Sequence, residues 1–187
     1  MSFTDQNDEQ LIAGYLSSEK EEVFRVLSNK YIKPVHNFIR QMVRNPNEAE
    51  DITQEVFIKV WKNLKKFKIG RNFKTWLFTI AKNSAIDFLR KRKVLNFSDL
   101  EKADDDYSFS ETIPSEDLLP DEALQKLQDS EFLNKLLDQL SVQYKTVLLL
   151  HYQEEMTFDQ IGKVLNKPLN TVKSYHRRAI WELRKMI

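Results

Sequence analysis

Residues 157–184 read TFDQIGKVLNKPLNTVKSYHRRAIWELR, and their spacing predicts two helices joined by a tight turn. Thr157-Phe158-Asp159-Gln160 has the form of a capping box, in which the threonine hydroxyl accepts a backbone N–H and the glutamine reaches back to the cap. Ile161, Val164 and Leu165 give the first helix one apolar face, and Asn166-Lys167-Pro168-Leu169 makes the turn. Asn170 is the expected cap of the last helix. On its wheel Val172, His176, Ala179 and Leu183 face inward, while Lys173, Ser174, Arg177, Arg178, Trp181 and Arg184 face outward. Small Gly162 suits close approach of the two helices, and the pattern is that of a helix-turn-helix. Lys173, Arg177 and Arg178 offer cations for phosphates or guanine edges. His176, on the buried face, is expected to be a satisfied core histidine that can make the unit sensitive to pH. Just upstream, Ser141 is expected to cap a helix carrying Val142, Val147, Leu148 and Leu150. Periodicity alone leaves a generic helical bundle as a rival.

Further toward the amino terminus the same period recurs. Leu11, Ile12, Tyr15 and Leu16 mark a short helix; Val23, Phe24, Leu27, Tyr31, Val35, Phe38, Ile39 and Met42 mark a longer one, expected to break near Pro34. After the turn Asn45-Pro46-Asn47, with Asn47 as the expected cap, a helix should run to about Leu64. Ala49, Ile52, Val56, Val60 and Leu64 share its inner arc, and Asp51, Gln54, Glu55, Ile58 and Lys62 the opposite one. Ile58 among carboxylates and an amide has the composition of a protein-docking face, although single exposed apolar residues are common. Asp51 and Glu55 at i,i+4 could instead hold a metal, but no histidine lies near and the neighbourhood is basic. A further helix, roughly Phe73 to Lys93, puts Leu77, Ile80, Ala81, Ser84 and Phe88 on one side and Lys82, Asn83, Ile86, Arg90 and Lys93 on the other. Its basic end beside Phe67, Phe73 and Trp76 has both ingredients of single-strand recognition, cations for phosphates and rings for unstacked bases; rings at helical spacing are more often core, and the wheel alone does not separate the two.

Composition narrows the function classes. With 187 residues, no cysteine and three glycines, the chain has no disulfide framework, thiolate metal site or glycine-rich phosphate loop. The amino terminus lacks a basic start followed by an apolar stretch, so a soluble, cytoplasmic protein is expected. Scarce Gly and Pro with 41% hydrophobic and 30% charged residues predict an all-α fold. Charge is segregated: residues 1–93 carry 18 basic and 11 acidic groups, 94–130 carry 2 and 11, and 131–187 carry 9 and 6. Two small helical domains, 1–93 and 131–187, joined by an acidic flexible linker over 94–130, are therefore expected, with clustered cations suited to a polyanion.

Together these strings resemble the sigma factors of bacterial RNA polymerase, in particular the extracytoplasmic-function (ECF) group. EAEDITQEVFIKVWKNLKKFK resembles that family's region 2.2, FKTWLFTIAKNSAIDFLRKRK its regions 2.3 and 2.4, and LLDQLSVQYKTVLLLHYQEEMTFDQIGKVLNKPLNTVKSYHRRAIWELRK its region 4. The resemblance covers about 8–93 and 131–187. It implies a dissociable initiation factor rather than an enzyme, with no cofactor, whose partners are core RNA polymerase, promoter DNA and an anti-sigma factor. Asp51, Gln54, Glu55 and Ile58 would dock on the clamp helices of the polymerase largest subunit. Thr171, Lys173, Ser174, Arg177 and Arg178 would read the minus-thirty-five element in the major groove. Asn83 falls at the family's minus-ten base-pocket position, with Arg71, Phe73, Lys74, Lys82 and Arg90 as further minus-ten residues; Trp76, Leu77 and Ile80 read as structural. At Tyr175 many members carry a basic residue and at His176 an aliphatic one. Between the units, 37 residues reach about 120 Å, more than the roughly 70 Å of two turns of DNA.

Two rivals come from other classes. A stand-alone helix-turn-helix regulator explains 131–187 but leaves the Asp51 face and the Asn83 region idle. An enzyme finds no support in His36, His151 and His176, which form no metal-binding spacing.

Overall fold

The computed structural model describes residues 8–18, 21–95 and 131–186, which form helices and turns without a strand. The acidic stretch expected to be a linker lies outside these residues, apart from Val94 and Leu95 at the end of a helix.

The amino-terminal unit is built from α1 (Asp8–Ser18), α2 (Glu21–Val43), α3 (Pro46–Asn63) and α4 (Phe73–Leu95), with a 3₁₀ turn over Leu64–Lys66. Contrary to the expected break, α2 runs through Pro34. The helix buries Tyr31, Val35, Phe38 and Ile39 on one side, so packing offsets the lost hydrogen bond. The cap of α3 is Asn45 rather than Asn47: its side chain accepts from the N–H groups of Asn47 and Glu48 at 3.1 and 3.3 Å. Pro46 then occupies the first turn, where a missing N–H costs nothing. The inner arc of α3 is buried as its period requires, from Ala49 to Val60 and on to Leu64, and Phe38 meets Phe78 of α4 edge-on at 5.5 Å.

The carboxy-terminal unit consists of α5 (Glu131–Gln139), α6 (Val142–Leu148) with a π turn over Leu149–Gln153, α7 (Phe158–Leu165) and α8 (Leu169–Met186). Ser141 caps α6 by accepting from Tyr144 N–H at 3.3 Å. Both halves of the capping box on α7 are formed, Gln160 N–H to the Thr157 hydroxyl and Thr157 N–H to the Gln160 amide oxygen. Asn166 ends α7 in the left-handed conformation that this residue tolerates. At Gly162 an added Cβ would lie 2.9 Å from the Lys167 carbonyl oxygen, so the tight turn requires glycine there. The last helix starts at Leu169, directly after Pro168, and not from a cap at Asn170.

The two units are packed against each other. Helix α4 lies on α7, and Met42 of α2 accepts a hydrogen bond from the buried Thr146 hydroxyl of α6 at 3.6 Å. Among the described residues no helix is long and apolar enough to cross a membrane.

Candidate nucleic-acid interface

Three surfaces carry the residues singled out by sequence. The first is the helix-turn-helix. Lys173, Ser174 and Arg177 stand exposed along α8, and Thr171 and Arg178 are half-buried. The Ser174 hydroxyl donates to the Asn170 carbonyl at 2.9 Å, which leaves its lone pairs facing outward. Burial raises the Glu182 pKa, opposed by the Lys185 and then the Arg178 cation, which favour its charged form. Trp181 is also exposed, with the Lys185 ammonium over its ring at 3.2 Å. Beneath the helix, His176 is buried and its Nε2 lies 3.0 Å from the Tyr152 hydroxyl, the satisfied core histidine expected from its position. His151 stacks on Phe158 at 4.6 Å and meets His176 edge-on, so an aromatic and imidazole cluster props α8 against the π turn. Tyr175 packs on Tyr144 at 5.6 Å and is half-buried.

The second surface is a concavity of about 500 Å³ between α3, its 3₁₀ turn and α4, lined by Lys59, Asn63, Lys66, Trp76, Ile80, Asn83 and Ser84. Asn83 is exposed at its wall. Lys59, Asn63 and Lys66 add donors that the sequence reading missed, because they precede the helix that carries Asn83 and only the fold brings them opposite it. Trp76 lines the same concavity as well as serving the core, where it packs on Phe67 and Phe73 at 5.2 and 5.8 Å. Phe73 itself is buried between Tyr31, Phe67 and Trp76, so its ring has no face open to a base. Arg71 is exposed in the loop before α4, and Arg90 is exposed beside Asp87 at 3.2 Å. Lys82 is half-buried, and desolvation lowers its pKa against the opposing pull of Asp87. Lys74 does not point to solvent: its ammonium meets the Glu154 carboxylate of the other unit at 3.1 Å and donates to the Glu154 carbonyl.

The third surface is an apolar groove of about 720 Å³ between α2 and α3, lined by residues that include Phe24, Ile32, His36, Gln54, Phe57, Ile58 and Trp61. Ile32 is 50% exposed, Ile58 53% and Trp61 38%, a contiguous apolar patch of the kind that marks a partner site. Gln54 and Ile58 line it; Asp51 and Glu55 lie outside its lining, exposed, with Glu55 paired to Lys59 at 2.8 Å. Ile32 and Trp61 went unnoticed in the sequence because Ile32 is on α2 and Trp61 falls between the two arcs of the α3 wheel.

Comparisons with known proteins bear on these surfaces. Residues 27–94 match the family model Sigma-70 region 2, and residues 133–183 match Sigma-70, region 4. The ECF RNA polymerase sigma factor SigW of Bacillus subtilis is 34% identical over 168 residues, covering 89% of this chain and 90% of its own length. SigX of the same organism is 30% identical over 88% of this chain and 84% of its own length. The fold matches that of CnrH, solved with the cytosolic domain of CnrY, at a TM-score of 0.70 and 20% identity over 96% of each chain. It also matches the sigma factor RpoE, solved with the anti-sigma factor NepR from Bartonella quintana, at a TM-score of 0.65 and 24% identity over 87% of this chain and 94% of that one. With both units matched in order and two relatives at 30% identity or more over most of their length, the chain belongs to the ECF sigma factors of RNA polymerase.

Proposed function

We propose that this chain binds core RNA polymerase and directs it to promoters, with the α2/α3 groove as the docking site, α8 as the reader of the minus-thirty-five element and the Asn83 concavity as the holder of an unstacked minus-ten base. The observation that carries this reading is the coexistence, on one chain, of an exposed apolar groove and a separate, exposed basic recognition helix. A stand-alone regulator has no use for the groove. Ile58, Trp61 and Ile32 supply the apolar contact area, Gln54 the polar rim, and Asp51 and Glu55 the charge that steers a basic partner. On α8, Lys173, Arg177 and Arg178 supply cations, with Thr171 and Ser174 as hydroxyl partners. In the concavity Asn83 presents an amide able to pair with a base edge, Trp76 an apolar wall, and Lys59 and Lys66 charge for the backbone. Arg71 and Arg90 extend the basic surface along the strand. An anti-sigma factor covering the groove is the partner that would keep the protein silent.

The test is co-elution of the purified protein with bacterial core polymerase, followed by run-off transcription from a promoter selected from a random pool. The parent should co-elute and initiate at one site. Ile58→Glu and Asp51→Lys should fold, by circular dichroism, yet lose most polymerase binding. Undiminished co-elution of both variants would remove the groove and its rim as the docking site. Failure of the parent to co-elute with any bacterial polymerase tried, with specific DNA binding intact, would favour the stand-alone regulator.

A further inference from the structure

Between Glu55 and Asp87 the chain carries no acidic residue, and its most exposed large apolar side chain stands in the middle of that stretch. Ile69 is 63% exposed, more than any other large hydrophobic among the described residues. It lines neither the α2/α3 groove nor the Asn83 concavity.

The loop before α4 holds it there by construction. Phe67 is buried against Phe73 and Trp76 at 5.8 and 5.2 Å, and its N–H donates to the Leu64 carbonyl at 3.0 Å. At the other end the Asn72 side chain accepts from the N–H and the hydroxyl of Thr75 at 2.8 and 2.9 Å, which fixes the start of α4. Between these anchors Lys68-Ile69-Gly70-Arg71 closes a turn through the Arg71 N–H and the Lys68 carbonyl at 3.2 Å. Gly70, at φ +87°, supplies the positive φ that the third residue of such a turn takes. Ile69 is therefore the second residue of a short turn pinned on both sides.

Its neighbours decide what it can meet. Lys66, Lys68 and Arg71 are exposed and form no salt bridge among the described residues. An apolar partner would strip water from these cations and return no countercharge, and a merely acidic one would leave the isoleucine idle. Duplex DNA satisfies both, with phosphates outside and stacked, largely apolar base faces inside. Position agrees with charge. Three peptide units separate Ile69 from Lys66, a wall residue of the Asn83 concavity, so their Cα atoms lie within about 11 Å. That is roughly three base steps, close enough for a base displaced at the loop to enter the concavity.

We propose that Ile69 is the wedge that starts strand separation, inserting between base steps at the edge of the minus-ten element while Lys66, Lys68 and Arg71 hold the backbone. The proposal rests on the promoter function given above. An apolar side chain between two bases replaces part of the stacking lost when they part, so it lowers the cost of opening the duplex and contributes little once the strands are separate.

The experiment mixes the full chain, bound to core polymerase, with its selected promoter carrying 2-aminopurine in the minus-ten element, and follows opening by stopped-flow fluorescence. Ile69→Ser should open the duplex about tenfold more slowly than the parent, the stacking of roughly one base step. On a template whose minus-ten element is already unpaired by mismatches it should match the parent. Ile69→Leu, which keeps an apolar tip, should open the duplex at a rate near the parent's. Circular dichroism and co-elution with polymerase check that each variant folds and docks. Ile69→Ser opening as fast as the parent, Ile69→Leu as slow as Ile69→Ser, or an equal loss on duplex and mismatched templates would overturn the wedge. Loss of co-elution by a folded Ile69→Ser would also overturn it, and would assign the tip to polymerase. A parent that opens no promoter with polymerase removes the function and the wedge together; a parent that opens one, matched by Ile69→Ser, removes the wedge alone.

Discussion

Gly162 shows how one residue can fix the orientation of a recognition helix. Its missing side chain lets the Lys167 carbonyl come within 2.9 Å of where a Cβ would stand, and its own carbonyl accepts the Lys167 N–H at 2.9 Å. An alanine gains about 1 kcal/mol of helix propensity but meets a backbone atom that cannot rotate away, and such overpacking costs about 1–3 kcal/mol. Gly162→Ala should therefore destabilise the carboxy-terminal unit by about 1 kcal/mol net and weaken DNA binding through a displaced α8; urea unfolding followed by circular dichroism measures the first. A variant as stable as the parent would show that the turn relaxes. His176 is a contrasting case: its burial was legible from the wheel, whereas its partner Tyr152 was not, because a π turn rather than an α turn brings that hydroxyl to 3.0 Å.

Among the elements, α8 separates fully exposed cations from half-buried ones. Arg177 is exposed, whereas Arg178 is half-buried beside Glu182, so Arg177 is the freer guanidinium for a base edge. Arg177→Ala should weaken binding to a selected minus-thirty-five duplex by about 1–3 kcal/mol and spare a scrambled one, measured by fluorescence anisotropy at fixed salt. Equal loss on both duplexes would make Arg177 a phosphate contact. The helices themselves were readable because a 3.6-residue apolar period survives in each, and the Ser141 and Thr157 caps followed from local chemistry. Errors arose where local chemistry offered two answers. Asn45 and Asn47 are both good caps, and Pro46 at the first turn decides between them; Pro34 predicts a break, but the apolar face on both sides of it holds α2 together. The α2/α3 groove was half legible. Its α3 wall carries a periodic signal, while its α2 wall depends on how two helices pack, which no single wheel contains.

For the whole molecule, the charge map announced two basic units and an acidic strip but gave no sign that the units meet, since Lys74 and Glu154 are 80 residues apart and either could face solvent. Their meeting makes the contact between the units depend on pH. Burial raises the Glu154 pKa above its ordinary 4.5, and Lys74 opposes that rise without cancelling it, while Glu155 adds to it. The folded chain therefore binds a proton at Glu154 more tightly than the unfolded chain does. The sign follows from linkage: this contribution is fully present below pH 4.5 and is lost as the pH climbs through the raised value. The groups facing Glu154 are Lys74 from α4, Glu155 beside it, Lys33 and Arg40 of α2 across a cleft of about 470 Å³, and Tyr31, whose own hydroxyl is pushed well above its usual pKa by burial and by Asp8, with a smaller push from Glu154. Acidification from neutrality toward pH 4.5 should stabilise the parent against urea relative to Glu154→Gln, which has no carboxylate to titrate; circular dichroism at each pH reads the difference. A parent that instead loses stability relative to Glu154→Gln on acidification would mean that loss of the ion pair with Lys74 outweighs the relief of a buried charge.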